Sequence, residues 1–192
     1  MGRFPCLAVA VATAVLQLSS AGLAQEGQPH QPYAELTPRS VKALSEQQIE
    51  DLRAGRGMGL ALAAELNGYP GPRHVLEHAD ALGLSVAQRE QTEALFEAML
   101  AETTGLGEQL IQQETELDEL FASRSITPEA LSATTSTIGA TLGALRGAHL
   151  RYHLAMMEVL TPEQVRRYGE LRGYGAGQGH GHGHGGHGER AH

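Results

Sequence analysis

The sequence predicts an all-α protein built on a long antiparallel helical hairpin with short flanking helices. Three observations lead there. Aromatic residues make up only 4% of the 192 residues and Trp is absent, while Ala, Leu, Glu and Gln abound, a mix that favours helix over a sheet core. No run of alternating Val, Ile and Thr reads as a strand. One phrase recurs: Leu44-Ser45-Glu46-Gln47-Gln48-Ile49, Leu84-Ser85-Val86-Ala87-Gln88-Arg89, Leu160-Thr161-Pro162-Glu163-Gln164-Val165 and, in shorter form, Ile126-Thr127-Pro128-Glu129-Ala130-Leu131.

Each copy has the chemistry of a helix start. The Ser or Thr oxygen accepts from an otherwise orphaned backbone N–H, and Gln48, Gln88 or Gln164 three residues on reaches back to the cap's own N–H. Pro128 and Pro162 fall at the first helical position, where a missing N–H costs nothing. The apolar residue before the cap can staple to the fourth helical residue: Leu44 to Ile49, Ile126 to Leu131, Leu160 to Val165. Each start contributes about 1 kcal/mol. Leu36-Thr37-Pro38 is a weaker fifth start, with Val41 as its staple.

The elements follow in chain order. Residues 1–24 read as a secretory signal peptide: Arg3, an apolar run from Leu7 to Leu16 broken only by Thr13, then small residues with Ala21 and Ala24 as cleavage positions. The alternative is an uncleaved anchor, for which the run is short. Cys6, the only cysteine, lies inside this segment, so the mature chain is expected to be exported and to have no disulfide. Residues 25–43 form a mobile N-terminal segment, and 44–174 the helical domain. Within it we expect helices over about 46–66, 73–82, 86–122, 128–160 and 162–172, with Asn67-Gly68-Tyr69-Pro70-Gly71-Pro72 as a hard break. Residues 175–192 form a disordered Gly/His-rich tail.

The two long helices, joined by a few residues, should fold back on each other. Ile138, Leu142, Leu145, His149, Tyr152, Met156 and Val159 follow alternating spacings of four and three, a heptad-type seam. Gly139, Gly143 and Gly147 beside it should let a neighbouring helix approach closely.

The formal charge of −8 argues against a nucleic-acid partner. The mature chain has no cysteine nucleophile, no phosphate-binding Gly loop after a strand, no Gly-x-Ser-x-Gly elbow and no HExxH, so no enzyme activity is expected. Histidines carry the remaining chemistry. His74 and His78 stand four apart, as do His149 and His153, and each pair should share a helix face. Such pairs suit Zn, Ni, Co or Cu, and two converging pairs could hold one divalent transition-metal ion. Antiparallel register places His149 and His153 opposite the stretch Glu97 to Glu102, which makes Glu93, Glu97, Glu102, Met99 and Met156 further ligand candidates. The competing reading is a hydrogen-bonded core histidine at 149 and a polar helix face at 74 and 78. In the tail, His180, His182, His184 and His187 form a second metal-capturing set, against the alternative of an idle solvated tail.

With its exported, cysteine-poor, helical character and its Leu-Thr/Ser-x-x-Gln phrases at 44–48, 84–88 and 160–164, the chain resembles the Spy/CpxP family of periplasmic stress proteins over residues 44–174. That includes the family's metal-sensor and zinc resistance-associated branch. The resemblance implies a helical hairpin dimer with a concave cradle, and a role as an ATP-independent chaperone, an envelope-stress regulator or a metal-binding sensor. Partners would be a second copy of the chain, unfolded envelope proteins or a membrane-bound signalling protein. The metal-sensing branch is matched at His74-x-x-x-His78 and at Met156. Its other helical His would fall at Tyr152 and its Glu near Phe96, so His149 or His153 with Glu97 would substitute by a shifted geometry.

Overall fold

The computed structural model of the chain describes residues 33–174. The expected leader with Cys6, the first part of the N-terminal segment (25–32), and the tail with His180, His182, His184 and His187 lie outside the described residues. After a single 3₁₀ turn at Ala34–Leu36 come α1 (Glu46–Arg53), α2 (Leu62–Glu65), α3 (Pro72–Glu77), α4 (Val86–Ala122), α5 (Pro128–Val159) and α6 (Pro162–Leu171). No strand occurs among the described residues, and no helix there is long and apolar enough to cross a membrane. The weak start at Thr37-Pro38 opens no helix, although Val41 is buried.

The repeated phrase does what its chemistry requires. Ser45, Ser85 and Thr161 each cap a helix and complete the reciprocal box with Gln48, Gln88 and Gln164, and Thr127 caps α5 through the Ala130 N–H. Two copies also bind each other. Gln88 Nε2 donates to Gln164 Oε1 at 2.8 Å and to the Val159 carbonyl at 2.9 Å. Gln164 Nε2 donates to Gln88 Oε1 at 3.1 Å and to the Leu82 carbonyl at 3.3 Å. The starts of α4 and α6, the end of α5 and the turn after α3 are thereby fastened together.

Two expected helices are shorter than their periodicity suggests. The helix over 46–66 breaks after Arg53, because Gly55 (φ +60°) and Gly59 (φ +81°) take left-handed backbone and carry Met58 (φ +43°) with them. At Gly55 a Cβ would also stand 2.7 Å from Thr103 Oγ1 and 2.9 Å from Leu100 Cδ1, so the loop lies directly on α4. The helix over 73–82 stops at Glu77, with His78 as its C-cap.

α4 and α5, of 37 and 32 residues, form the expected hairpin. Its register is as anticipated: the Tyr152 hydroxyl donates to Glu102 at 3.1 Å, and Arg151 pairs with the same carboxylate. The seam differs: Tyr152 and Val159 are only half-buried, and His153 is enclosed in addition. Leu142 is 43% exposed, while Thr141 and Ala148 are enclosed beside Ile138, Leu145, His149 and Met156. Small side chains fill the enclosed positions of a close helix pair, and the larger Leu is turned outward.

Two apolar clusters flank the pair. The first joins Val41, Leu44, Ile49 and Leu52 to Leu110, Ile111, Ile138 and Leu145. The second joins Val75 and Leu82 to Met156, Leu160 and Tyr168. Beyond Gln113 on α4 and before Ile138 on α5 no residue of either helix is buried, so the hairpin tip is uncovered.

The glycines of the hairpin separate close packing from open surface. At Gly107 a Cβ would lie 2.5 Å from the Leu52 carbonyl oxygen, whereas at Gly139, Gly143 and Gly147 it would meet nothing within 4 Å. The glycine row therefore brings no helix among the described residues close. Gly107→Ala is expected to destabilise the protein, because overpacking against backbone costs about 1–3 kcal/mol and outweighs a helix-propensity gain of about 1 kcal/mol. Gly143→Ala should stabilise it by up to about 1 kcal/mol. Urea unfolding followed by circular dichroism measures both, and equal signs for the two would contradict this packing.

Candidate functional site: a histidine-lined cavity

Between the two clusters lies a cavity of ≈ 270 Å³. The Gly-rich loop and α2 form one wall (Ala54 to Leu62, and Glu65) and the start of α3 another (Gly71 to His74). Phe96, Met99 and Leu100 of α4, His149 and His153 of α5, and Arg172 and Tyr174 after α6 complete it.

His149 and His153 arrive together because four residues on a helix return to the same face. Both are enclosed, at 3% and 7% exposure. The His153 Nδ1 donates to the Tyr69 carbonyl at 2.7 Å, and since a carbonyl can only accept, this fixes the tautomer and leaves Nε2 with its lone pair. Gly71 makes room for that edge of the ring: a Cβ there would come within 2.8 Å of His153 Cε1 and 2.9 Å of Nε2. The His149 Nε2 is buried and has no hydrogen-bond partner. Burial, and secondarily the neighbouring His153, lowers its pKa and favours the neutral ring. His74, at the cavity wall, has its Nδ1 2.7 Å from Glu77 Oε2, a carboxylate–imidazole contact that directs Nε2 elsewhere. The same contact holds the Glu77 carboxyl below its usual range.

The other sequence candidates stand apart. His78 is half-buried but outside the cavity lining: α3 ends at Glu77, so the four-residue face rule no longer applies to it. Glu97 and Glu93 are exposed, since the cavity-facing side of α4 passes through Phe96 and Met99. Glu102 is engaged by Arg151 and Tyr152. Met156 is fully enclosed in the second apolar cluster, where its thioether packs against side chains such as Val75 and Tyr168 and does not line the cavity. Met99 does line it.

Sequence reasoning missed Glu65. This carboxylate is only 6% exposed; its Oε1 accepts from Tyr168, Tyr174 and Arg172, while its Oε2 is buried without a partner. The one available signal was its place just before the Asn67–Pro72 break, on a segment that had to fold back over the hairpin. Among the described residues no three His, Cys, Asp or Glu side chains already stand close enough together to hold one ion. The donor chemistry nevertheless fits a borderline-soft cation: His149, His153, His74 and Glu65 all line one cavity, and His149 Nε2 and Glu65 Oε2 are buried without a partner.

The pH dependence follows from His149. Burial holds its folded-state pKa below the ordinary imidazole value of about 6.5, so above that pH the ring is neutral in both states and the contribution is complete. As pH falls below 6.5 the unfolded chain takes up the proton first, and stability is lost until the folded pKa is reached. Thermal midpoints should therefore begin to fall as the pH drops below about 6.5, ahead of ordinary carboxylate titration. His149→Gln should flatten that part of the profile.

The comparisons with known proteins bear on the same region. The family model described as heavy-metal resistance matches residues 57–167, more than half of the chain, and takes in the cavity wall except Ala54, Gly55, Arg56, Arg172 and Tyr174. No curated protein matches significantly, and no solved structure does. The chain belongs to the heavy-metal resistance family, the Spy/CpxP-like group that its recurring helix-start phrases resemble.

Proposed function

We propose that the protein is a non-enzymatic periplasmic metal-binding stress protein that senses or buffers a divalent transition-metal ion in the cavity between α2, α3, α4 and α5. The observation that carries this reading is the buried, partnerless Nε2 of His149, which shares its cavity with a His153 ring already held in the ligand tautomer. An enclosed imidazole nitrogen with no partner costs about 1–3 kcal/mol, and a Lewis acid bound to it removes that cost. His149 and His153 would hold the ion, with His74 joining from the wall. The Tyr69 carbonyl and Glu77 orient two of the rings, as outer-shell partners do in metal sites. Because these donors line one space without yet converging, capture draws loop and helices together, which suits a sensor better than a permanent structural site. The tail histidines His180, His182, His184 and His187 supply further imidazoles for loose capture near the cell surface.

Calorimetric titration of the full chain carrying His180→Ala, His182→Ala, His184→Ala and His187→Ala tests the cavity alone. With Zn²⁺, Ni²⁺, Co²⁺ and Cu²⁺ in turn, at least one ion is expected to bind at about micromolar Kd or tighter, near −8 kcal/mol. Adding His149→Ala or His153→Ala should weaken binding by tenfold or more, about 1.4 kcal/mol. Gly71→Ala should weaken it too, through the His153 ring. Binding no tighter than about millimolar would end the reading.

A second reading, an ATP-independent chaperone, is favoured by the uncovered hairpin. Phe121, Leu131, Leu142 and Leu154 expose apolar surface along α4 and α5. The same surface would serve a second copy of the chain in a dimer. Suppression of aggregation of several unrelated unfolded clients at stoichiometric ratio would support the chaperone, and failure with all of them would remove it.

A further inference from the structure

Glu65 connects the cavity to the C-terminal helix. It sits at the end of α2, lines the cavity and is almost completely enclosed. Its two oxygens have different surroundings. Oε1 accepts from the Tyr168 hydroxyl at 2.5 Å, the Tyr174 hydroxyl at 2.9 Å and Arg172 Nε at 3.1 Å. All three donors belong to α6 or the turn that follows it. Oε2 has no partner; the nearest cationic candidate, His153 Nδ1, is 3.8 Å away and donates instead to the Tyr69 carbonyl. One anion thus holds α6 with one oxygen and leaves the other vacant.

We propose that Glu65 Oε2 is a further ligand for the cation of this cavity, and that its ligation loosens the grip of Oε1 on Tyr168, Arg172 and Tyr174, so that loading is reported as increased motion at the end of α6. The proposal rests on the metal-binding reading above. A carboxylate shares a single negative charge between its oxygens. A dication on Oε2 draws that charge away, and the three bonds to Oε1 lose charge assistance, which roughly halves the strength of each. Arg172 lines the same cavity, and a dication within it repels the guanidinium. Tyr168, Leu171 and Tyr174 keep their apolar contacts in the second cluster, so the end of α6 loosens without detaching.

Hydrogen exchange read by mass spectrometry on the full chain, with and without Zn²⁺, tests this. Peptides covering residues 162–174 are expected to exchange about tenfold faster with Zn²⁺, equivalent to about 1.4 kcal/mol. Glu65→Gln keeps an acceptor for the three donors but is a poor ligand; it should lose the Zn²⁺-dependent increase and bind the ion more weakly in calorimetry. Tyr168→Phe leaves Oε2 in place and removes the shortest bond of the grip. It should keep Zn²⁺ affinity, exchange faster before any ion is added, and show a smaller increase. If Zn²⁺ binds the cavity while 162–174 exchanges unchanged or more slowly, the coupling is wrong and the metal site stands. A full Zn²⁺ response in folded Glu65→Gln overturns the ligand assignment, and should that variant not fold, a full increment in Tyr168→Phe overturns the coupling. Absence of Zn²⁺ binding to the cavity in calorimetry removes both this proposal and the reading beneath it.

Discussion

The mutual hydrogen bonding of the Gln88 and Gln164 side chains sets the geometry on which the cavity depends. Each amide has four hydrogen-bonding sites, and each uses them all. The two oxygens accept from the capped backbone N–H groups of Ser85 and Thr161 and from each other's amide nitrogen, while the remaining N–H groups go to the Val159 and Leu82 carbonyls. A half-buried amide left half satisfied is costly, so the pairing is close to all-or-none. Moving the start of α6 relative to α4 breaks the whole set. This is how a local helix-start device becomes a tertiary clamp, and it explains the placement of the phrase at the two ends of the hairpin. With α6 fixed against α4, Tyr168 fills the second apolar cluster and its hydroxyl reaches Glu65.

The cavity exists because the clusters on either side of it are filled by different parts of the chain. α1 packs its Ile49 and Leu52 on the middle of the hairpin, and α3 packs Val75 nearer the open end. The segment between them must cross from one cluster to the other. It does so through three glycines and a left-handed Met58, a backbone too irregular to present a continuous apolar face. What remains beneath it is a space whose floor is His149, His153 and Met99. Burial raises the Tyr168 hydroxyl pKa far above its usual value, with the bond to Glu65 acting in the same direction, so this tyrosine stays a donor at any working pH. The carboxylate of Glu65 therefore has donors on one side under all conditions in which the fold persists.

Much of the scaffold was legible because its signals are local. The α4 boundaries agree with the expected 86–122, and the ends of α5 and α6 agree within one residue of 128–160 and 162–172, since caps and prolines act over a few residues. The first flanking helix was not legible in the same way. Its apolar pattern continues past Arg53, and the glycines at 55, 57 and 59 are individually tolerable in a helix, but together they let the chain turn where α4 offers a contact at Thr103. The pairing of His149 with His153 followed from helical spacing, and their register opposite 97–102 from loop length. Glu97 was misdirected by phase. One residue from Phe96 is a rotation of about 100° on a helix, enough to take a side chain from the cavity to solvent. Glu65 has no local signature beyond its place before the Asn67–Pro72 break, because the donors to its Oε1 lie more than a hundred residues downstream.

Dispersed donors in an enclosed cavity have a thermodynamic consequence. A preorganised site binds tightly and changes little, which suits storage. Here His149, His153 and Glu65 are each held by something other than an ion or by nothing, and the loop above them carries a residue in strained backbone. Part of the binding free energy must go into drawing them together, so affinity is lower than the ligand set alone would give. A ligand shifts a conformational equilibrium only by its differential affinity for the two states. The binding energy diverted into rearrangement is the quantity available for signalling, and its natural outlet is the element tied to the same carboxylate. Among the short helices, α6 alone is joined to the cavity by a charged group with a second, unused oxygen. Tight packing elsewhere, at Gly107 against Leu52 and at Met156 within its cluster, leaves the rest of the hairpin little freedom to respond.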